Sequence, residues 1–290
     1  MHAVAKRGRK ETTPVHSPLG RIRQMHRRLL IKPRSKVDLA AFDPSDTRHL
    51  GGKQEAQAQL LRDAEAIDLL QDRLYAEGKR ALLVILQGMD TSGKDGAVRA
   101  VFGRTGPLGI SVTSFKAPSA EELAHDFLWR AHRACPQRGT IGIFNRSQYE
   151  DVLIGRVRML APPDIIEHRY NQINAFEDMI SSSTRIVKFM LHISKDVQRD
   201  RLQERLDLSH KHWKFDPSDI EERKLWDDYM NAYETMLSRC STKIAPWYII
   251  PSNKKWARNA TIAAIVRATL EDMDPQYPKP EWDPASFTIR

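Results

Sequence analysis

The sequence predicts an α/β protein, a parallel five-stranded sheet with helices on both faces, and three observations carry that prediction. Apolar runs alternate with helical patterns of roughly 10–20 residues along the chain, as repeated βαβ units require. The first run, Ala81 to Leu86, is apolar without alternation, as a strand buried on both faces of a parallel sheet would be. It leads directly into Gly88-x-x-x-x-Gly93-Lys94 and a helical pattern. Strand, glycine-rich turn and helix N-terminus together cradle a phosphate chain, because bare backbone N–H groups, the helix dipole and a lysine all face the anion.

Taken in order, Lys53–Glu77 reads as a helix: Leu60, Ala64, Ile67, Leu70 and Leu74 share a face, and Gly78 stands at its stop. After the Ala81–Leu86 strand, Asp95–Phe102 is a helix and Ile110–Phe115 a second strand. Ser119-Ala-Glu-Glu122 is a capping box expected to start a helix running to about Cys135. Thr140–Phe144 is a third strand, Asp164–Ile180 a helix, Ile186–Ile193 a fourth strand and Ser194–Leu206 an arginine-rich helix. A polar and aromatic loop, Asp207–Asp216, precedes a second capping box, Ser218-Asp-Ile-Glu221, and a long helix to about Cys240. Trp247–Ile250 is a fifth strand and residues 256–272 a last helix. The expected organisation is a basic arm over 1–36, one α/β domain over 37–273 and a Pro-rich tail over 274–290. Within the arm, the apolar patch Leu29-Leu30-Ile31 is suited to docking on the body.

The net charge of +9 sits in that arm, which holds eleven of the 46 basic residues and one of the 37 acids. The rest of the chain carries 35 basic and 36 acidic residues, so the body is neutral overall. Such an arm suits either a polyanion or plain solvation. No apolar run approaches the roughly 18 residues of a membrane span, and the N-terminus shows no secretory signal pattern. Cys135 and Cys240 lack metal or redox spacing, as do His210 and His212, so the expectation is a cytoplasmic protein without a zinc site or a membrane partner.

Ligands of such sheets bind at the carboxyl ends of the strands, where the loops after strands one and three meet. Gly88, Met89, Thr91, Ser92, Gly93, Lys94 and Asp95 make up the expected phosphate cradle. Asp95 stands where the motif normally places Ser or Thr on magnesium and reads as a first-turn acid. Asp90 lies inside the loop, where a bare carboxylate would repel phosphate unless a divalent cation intervened, so it is the expected magnesium ligand. A local turn cap is its alternative role. After strand three, Arg146 is placed to clamp a phosphate, and Asn145 can coordinate only weakly. Glu150 can restore negative charge or contact a nucleotide, and Asp151 shares both roles. Lys116, Arg130 and Arg133 add to a local basic excess beside the loop and are expected to line, with Lys94 and Arg146, a channel that binds phosphate. Arg201 and Arg205, one helical turn apart, together with Lys211 and Lys214, read as a lid closing over a transferring phosphate. Salt bridges to Asp200, Glu204 and Asp207 are the competing explanation for the lid arginines.

Five motifs then occur together and in order: Gln-Gly-Met-Asp-Thr-Ser-Gly-Lys-Asp-Gly (87–96), Ser-Phe-Lys-Ala-Pro-Ser (114–119), Phe-Asn-Arg-Ser-Gln-Tyr-Glu-Asp-Val-Leu (144–153), Lys-His-Trp-Lys-Phe (211–215) and Trp-Asp-Asp-Tyr-Met (226–230). Over roughly residues 33–270 the chain resembles the family-2 polyphosphate kinases. The resemblance implies a thymidylate-kinase-like P-loop fold, three-layer α/β/α, with a helical lid at about 196–220. It also implies magnesium-dependent transfer of the terminal phosphate of inorganic polyphosphate to nucleotides, with manganese as a substitute ion. Asp90 matches the family's magnesium-binding catalytic aspartate, Lys94 its loop lysine and Arg146 the arginine after strand three. Asn145 replaces the aspartate many members carry there, which removes a second carboxylate from the metal. With Asn145, Glu150, Lys211 and Lys214 expected at the nucleotide, the Asn-Arg-Ser-Gln-Tyr-Glu form resembles the subgroup acting on both mono- and diphosphates. AMP and ADP are the implied acceptors, guanine nucleotides further candidates, and a homodimer or homotetramer the implied assembly. Two alternatives remain at this point: an ATP-dependent nucleoside-monophosphate kinase, and a nucleic-acid-binding protein working through the arm, whose binding would be salt-sensitive.

Overall fold

The computed structural model describes residues 28–289; of the expected arm over residues 1–36, residues 1–27 lie outside the described residues. Strands β1 (Ala81–Gln87), β2 (Ile110–Ser114), β3 (Ile141–Asn145), β4 (Thr184–His192) and β5 (Trp247–Pro251) form one parallel sheet in the order β2-β3-β1-β4-β5. The apolar run of β1 has a direct physical cause. Leu82, Val84 and Leu86 face one core, Leu83 and Ile85 the other, and every residue of the strand is buried.

Helices α1 (Lys53–Glu77), α2 (Lys94–Phe102) and α10 (Lys255–Met273) cover the first face, with Ile67, Leu74, Val101, Ile262 and Ile265 in its core. Helices α6 (Pro163–Ile180) and α9 (Trp226–Cys240) cover the second through Ile166, Tyr170, Ile173, Tyr233 and Leu237. The result is the three-layer α/β/α arrangement. Helix α1 ends as its sequence predicts: Gly78 takes the left-handed conformation at φ 64° and its N–H donates to the Leu74 carbonyl.

Two helices differ from expectation. The segment 119–135 is divided into α3 (Ala120–Leu123) and α4 (Trp129–Ala134). The Ser119–Glu122 capping box forms, but the Asp126 carboxylate accepts from the Leu128 N–H, a local turn that competes with continuing the helix. At the second box Ser218 is already helical and does not cap; Asp216 accepts from its N–H and hydroxyl. The helix there breaks at Leu225 into α8 (Ser218–Lys224) and α9. The break lets Trp226 and Tyr229 enter the core while Arg158 pairs with Glu222 on α8.

Leu29 and Ile31 are buried, and the Ile31 N–H donates to the Trp247 carbonyl at 2.9 Å, so the apolar patch docks on β5 as expected. The tail turns at Asp274, and the Tyr277 hydroxyl reaches Asp72 on α1 at 2.6 Å. Among the described residues no helix is long and apolar enough to cross a membrane.

Candidate active site

A cavity of about 570 Å³ lies over the carboxyl ends of the strands. Its floor is the loop between β1 and α2. Gly88, at φ 152°, has no room for a side chain, since a Cβ would meet the Leu191 carbonyl oxygen at 2.7 Å. Gly93, at φ 97°, is pressed against the Arg258 guanidinium, where a Cβ would fall 1.8 Å from Nη1. Thr91 also adopts a left-handed backbone, at φ 64°. That strain turns the loop so that α2 begins at Lys94 with its N-terminus at the cavity wall.

Lys94 is 8% exposed and donates from Nζ to the Gly88 carbonyl at 2.7 Å. Burial, reinforced by the nearby Arg146 charge, lowers its pKa to about 8 against the pull of Asp90. Asp90 lines the cavity and accepts at Oδ1 from Arg146 Nη2 at 2.5 Å. Burial would raise its carboxyl, but the Arg146 and Lys94 charges prevail and hold it below the ordinary value. Arg146 follows β3 at φ 62°, its N–H donating to the Leu86 carbonyl, and Glu150 stands 3.9 Å from its Nη1. Asn145 donates from Nδ2 to Asp95 Oδ1 at 2.6 Å, an amide contact between the β3 end and the first turn of α2.

The roof is α7 (Lys195–Asp207) and the 3₁₀ segment Ser209–Lys214, with α8 behind them through the Arg205–Asp219 pair. Arg201 and Arg205 both line the cavity, yet their guanidinium groups are already engaged. Arg201 donates to the carbonyls of Thr91, Ser252 and Asn253, each at 2.8 Å. Arg205 donates to the Lys214 carbonyl at 2.9 Å and pairs with Asp219 at 3.0 Å.

Comparison with known proteins fits this geometry. Residues 51–278 match the family described as Polyphosphate kinase 2 (PPK2). The chain belongs to the polyphosphate kinase 2 family. It is 49% identical over 253 residues to the AMP/ADP-polyphosphate phosphotransferase of Meiothermus ruber, covering 87% of this chain and 95% of that protein. With the ADP-polyphosphate phosphotransferase of Rhodopseudomonas palustris it shares 42% identity over 261 residues, 84% of this chain and 89% of the relative. The crystal structure of Polyphosphate Kinase 2 from Arthrobacter aurescens TC1 matches with a TM-score of 0.85 at 42% identity, covering 89% of this chain and 95% of that one. The fold is therefore that of a polyphosphate kinase 2, and the protein is a phosphotransferase.

Against that family frame, the structure brings together Asp90, Thr91, Gly93, Lys94, Asp95, Lys116, Asn145, Arg146, Arg201, Arg205, Lys211 and Lys214 around one cavity. Gly88 and Ser92 shape the loop from beneath, while the Met89 side chain is buried in the core on the α6/α9 face. Arg130 and Arg133 are not brought to the cavity. The Arg130 guanidinium donates to the Lys116 carbonyl at 2.9 Å and pairs with Asp151, so its contact is with the backbone that presents Lys116. Arg133 lies over the Trp129 ring at 4.6 Å and near Glu121 at 3.7 Å. Glu150 stands behind Arg146 rather than on the cavity wall.

Three residues escaped sequence reasoning. Lys255, at the start of α10, lines the cavity. Arg258, one turn on, is 3% exposed and donates from Nη1 to the Ser92 carbonyl at 3.1 Å. Lys188 is fully buried in β4 and donates to the Tyr149 hydroxyl, Glu177 and the Cys240 carbonyl at 2.7, 2.5 and 2.8 Å. It holds the Gln148–Val152 turn that carries Glu150 behind Arg146. A lysine inside an otherwise apolar strand was the available signal for it; the other two depend on long-range packing.

A divalent cation can be tested against these donors. Mg²⁺ is usually held by one or two carboxylates plus substrate phosphates and water, without a dedicated protein cage. Asp90 supplies one carboxylate on the cavity wall, and Thr91 Oγ1 beside it is buried without a hydrogen-bond partner. Among the described residues no cluster of three or more His, Cys, Asp or Glu could hold a metal. The set fits a phosphate-bound Mg²⁺ held by Asp90, and does not fit a structural metal cage.

Proposed function

We propose that the protein transfers the terminal phosphoryl group of inorganic polyphosphate to AMP and to ADP, with ATP as the final product and Mg²⁺ as cofactor, in the cytoplasm. The observation that carries this reading is the charge of the cavity. Eight Lys or Arg side chains (94, 116, 146, 201, 205, 211, 214, 255) line it, against the three acids Asp90, Asp95 and Glu204. Two polyanions must meet there, and relatives at 49% and 42% identity are named AMP/ADP-polyphosphate and ADP-polyphosphate phosphotransferase.

The cavity is chemically divided. Beside β2 and β3 its wall combines the neutral Ser114, Phe115, Ala117 and Asn145 with the cations Lys116 and Arg146, a mixture that suits a nucleoside carrying a phosphate. Beneath the lid and beside β5 it is lined by Arg201, Glu204, Arg205, Lys211, Lys214 and Lys255, all charged. Our reading places the acceptor in the first half and the phosphate chain in the second. This reverses the expectation that set Lys211 and Lys214 at the nucleotide and Lys116 at the phosphate chain. Four interstrand steps of about 4.8 Å separate β2 from β5, roughly 19 Å, enough for both substrates to meet over the loop.

In the proposed reaction an acceptor phosphate oxygen attacks the terminal phosphorus in line. The anhydride bond to the chain breaks, and the chain leaves one unit shorter. The acceptor is already anionic near neutral pH, so neutralising charge matters more than a general base. Lys94 and Arg146 flank the position of the transferring group, and the lid excludes water from it. When bound, Mg²⁺ at Asp90 would neutralise further charge on the phosphate oxygens.

The test is a product assay with polyphosphate, Mg²⁺ and AMP, ADP, GMP or GDP, with no ATP added. The expected products from AMP are ADP and then ATP. Turnover of AMP only when ATP is supplied would return the protein to the monophosphate-kinase alternative. The guanine arms decide whether GMP and GDP are acceptors too, and the particle mass in solution decides whether a homodimer or homotetramer forms.

A further inference from the structure

The lid half of the cavity contains one acid among its cations. Glu204 projects from α7 with its two carboxylate oxygens shared between separate parts of the protein. Oε1 accepts from Lys211 Nζ at 2.6 Å, and Oε2 stands 3.8 Å from Lys255 Nζ. Lys211 belongs to the lid, whereas Lys255 opens α10 on the body directly after β5. The helix carrying Glu204 is fixed at Arg201, one turn earlier, by that guanidinium's bonds to Thr91, Ser252 and Asn253 carbonyls. The carboxylate is therefore delivered to a set place between two lysines.

We infer that Glu204 is a specificity-determining residue seated in a phosphate subsite formed by Lys211 and Lys255, and that donor chains must displace it to bind. This rests on the reading of polyphosphate as donor. Both lysines and the acid are partly exposed, at 27%, 62% and 41%. Ion pairs of that exposure are weak and screened. A chain of linked phosphates that also reaches Lys94, Arg205 and Lys214 outcompetes one carboxylate, whereas a short chain or lone phosphate gains too few contacts to do so. Glu204 thus filters against small anions and raises the affinity threshold for short chains.

The experiment uses the full chain and polyphosphates of defined short and long length, measuring direct equilibrium binding and steady-state KM for donor and acceptor. Glu204→Gln keeps the shape and removes the charge. The expected result is a donor KM lowered about three- to tenfold for short chains, less for long ones, with acceptor KM unchanged. Asp272→Asn, the same charge change on an ion pair at the opposite end of the strands, is expected to leave both constants alone. In Glu204→Gln/Lys255→Ala the gain should largely vanish, because the freed lysine is gone. An unchanged or raised donor KM in Glu204→Gln overturns the inference, as does an equal gain in Asp272→Asn. A wild-type protein that neither binds nor uses polyphosphate overturns the donor reading together with it, so the two failures are distinguishable.

Discussion

The phosphate loop and the lid both present basic side chains to one cavity, but they satisfy those charges differently. At the loop, Arg146 is balanced by the carboxylates of Asp90 and Glu150, and Lys94 is folded onto its own loop with 8% exposure. In the lid, among the described residues, Arg201 is bound only to backbone carbonyls, and Arg205 to one carbonyl and Asp219. The loop is preorganised: its charges are held in place by one another and by the Gly88 carbonyl, so little reorganisation is required when charge develops. The lid is a set of clasps. Its arginines fix helices to the body first, and they reach a ligand only by sharing or exchanging those bonds.

The largest effect should come from breaking the preorganised side. Asp90→Asn and Lys94→Ala are each expected to lower kcat by about 10³-fold or more, in the range seen when a charge-stabilising group is removed from phosphoryl transfer. Circular dichroism should report both variants folded. Near-normal turnover of either would show that the loop is not where charge is stabilised.

A second effect concerns pH and belongs to the body beneath the loop. His49 is 4% exposed, and its Nε2 meets Thr261 Oγ1 on α10 at 2.8 Å. The Thr261 hydroxyl donates to the Ala257 carbonyl, so His49 must donate, and its Nδ1 is buried without a partner among the described residues. Protonating Nδ1 would bury an unpaired N–H, and burial lowers the His49 pKa from 6.5 to about 4. Between those values the unfolded chain binds the extra proton, so stability falls as pH drops below about 6.5. About 2 kcal/mol should be lost between pH 7.5 and pH 5, read as a lower urea midpoint. His49→Gln should flatten that dependence. An identical decline in the variant would assign the acid sensitivity elsewhere.

Arg201 sharpens the contrast at intermediate size. Arg201→Ala removes several charge-assisted bonds between lid and body, costing about 2 kcal/mol, or about 5 °C in Tm. Arg201→Lys should recover little, because a single ammonium cannot span carbonyls on two loops. Arg205→Ala, which loses contacts within the lid, should move Tm less and donor KM more. A catalytic loss at Arg201 with unchanged Tm would make it an active-site arginine rather than a clasp.

How much of this was legible in the sequence follows the same division. The strands and the phosphate loop were, because an unalternating apolar run and a glycine spacing are local patterns, and both sheet faces of β1 are buried as that run requires. Breaks within helices were not. The turn at Asp126 and the kink at Leu225 contain no Gly or Pro and arise from side-chain competition and core packing. Residue type and motif placed Asp90, Lys94 and Arg146 at the strand ends, where position along the chain determines position in space. Lys255 and Arg258 were missed because their roles come from contact with segments far away in sequence, as when Arg258 reaches Ser92 across 166 positions. Nor could the sequence state that Arg201 would be occupied by carbonyls, since backbone acceptors leave no trace in residue type.

Arg130 and Arg133 give the smallest effect and separate charge near the site from charge in it. Both belong to α4 (Trp129–Ala134), three residues apart on a basic helix. Arg130 is buried against the Phe115 ring and the Lys116 carbonyl, so Arg130→Ala disturbs the backbone that presents Lys116 and should raise substrate KM severalfold. Arg133 is 62% exposed, stacked on Trp129 and close to Glu121. A charge there acts on substrate only through solvent, where screening beyond about 8 Å removes most of it at physiological ionic strength. Arg133→Ala should therefore change donor KM less than about twofold at physiological salt, with a somewhat larger change at low salt. A tenfold rise that persists at physiological salt would mean that the phosphate chain continues past Lys116 along α4, and that the β2 edge binds donor rather than acceptor.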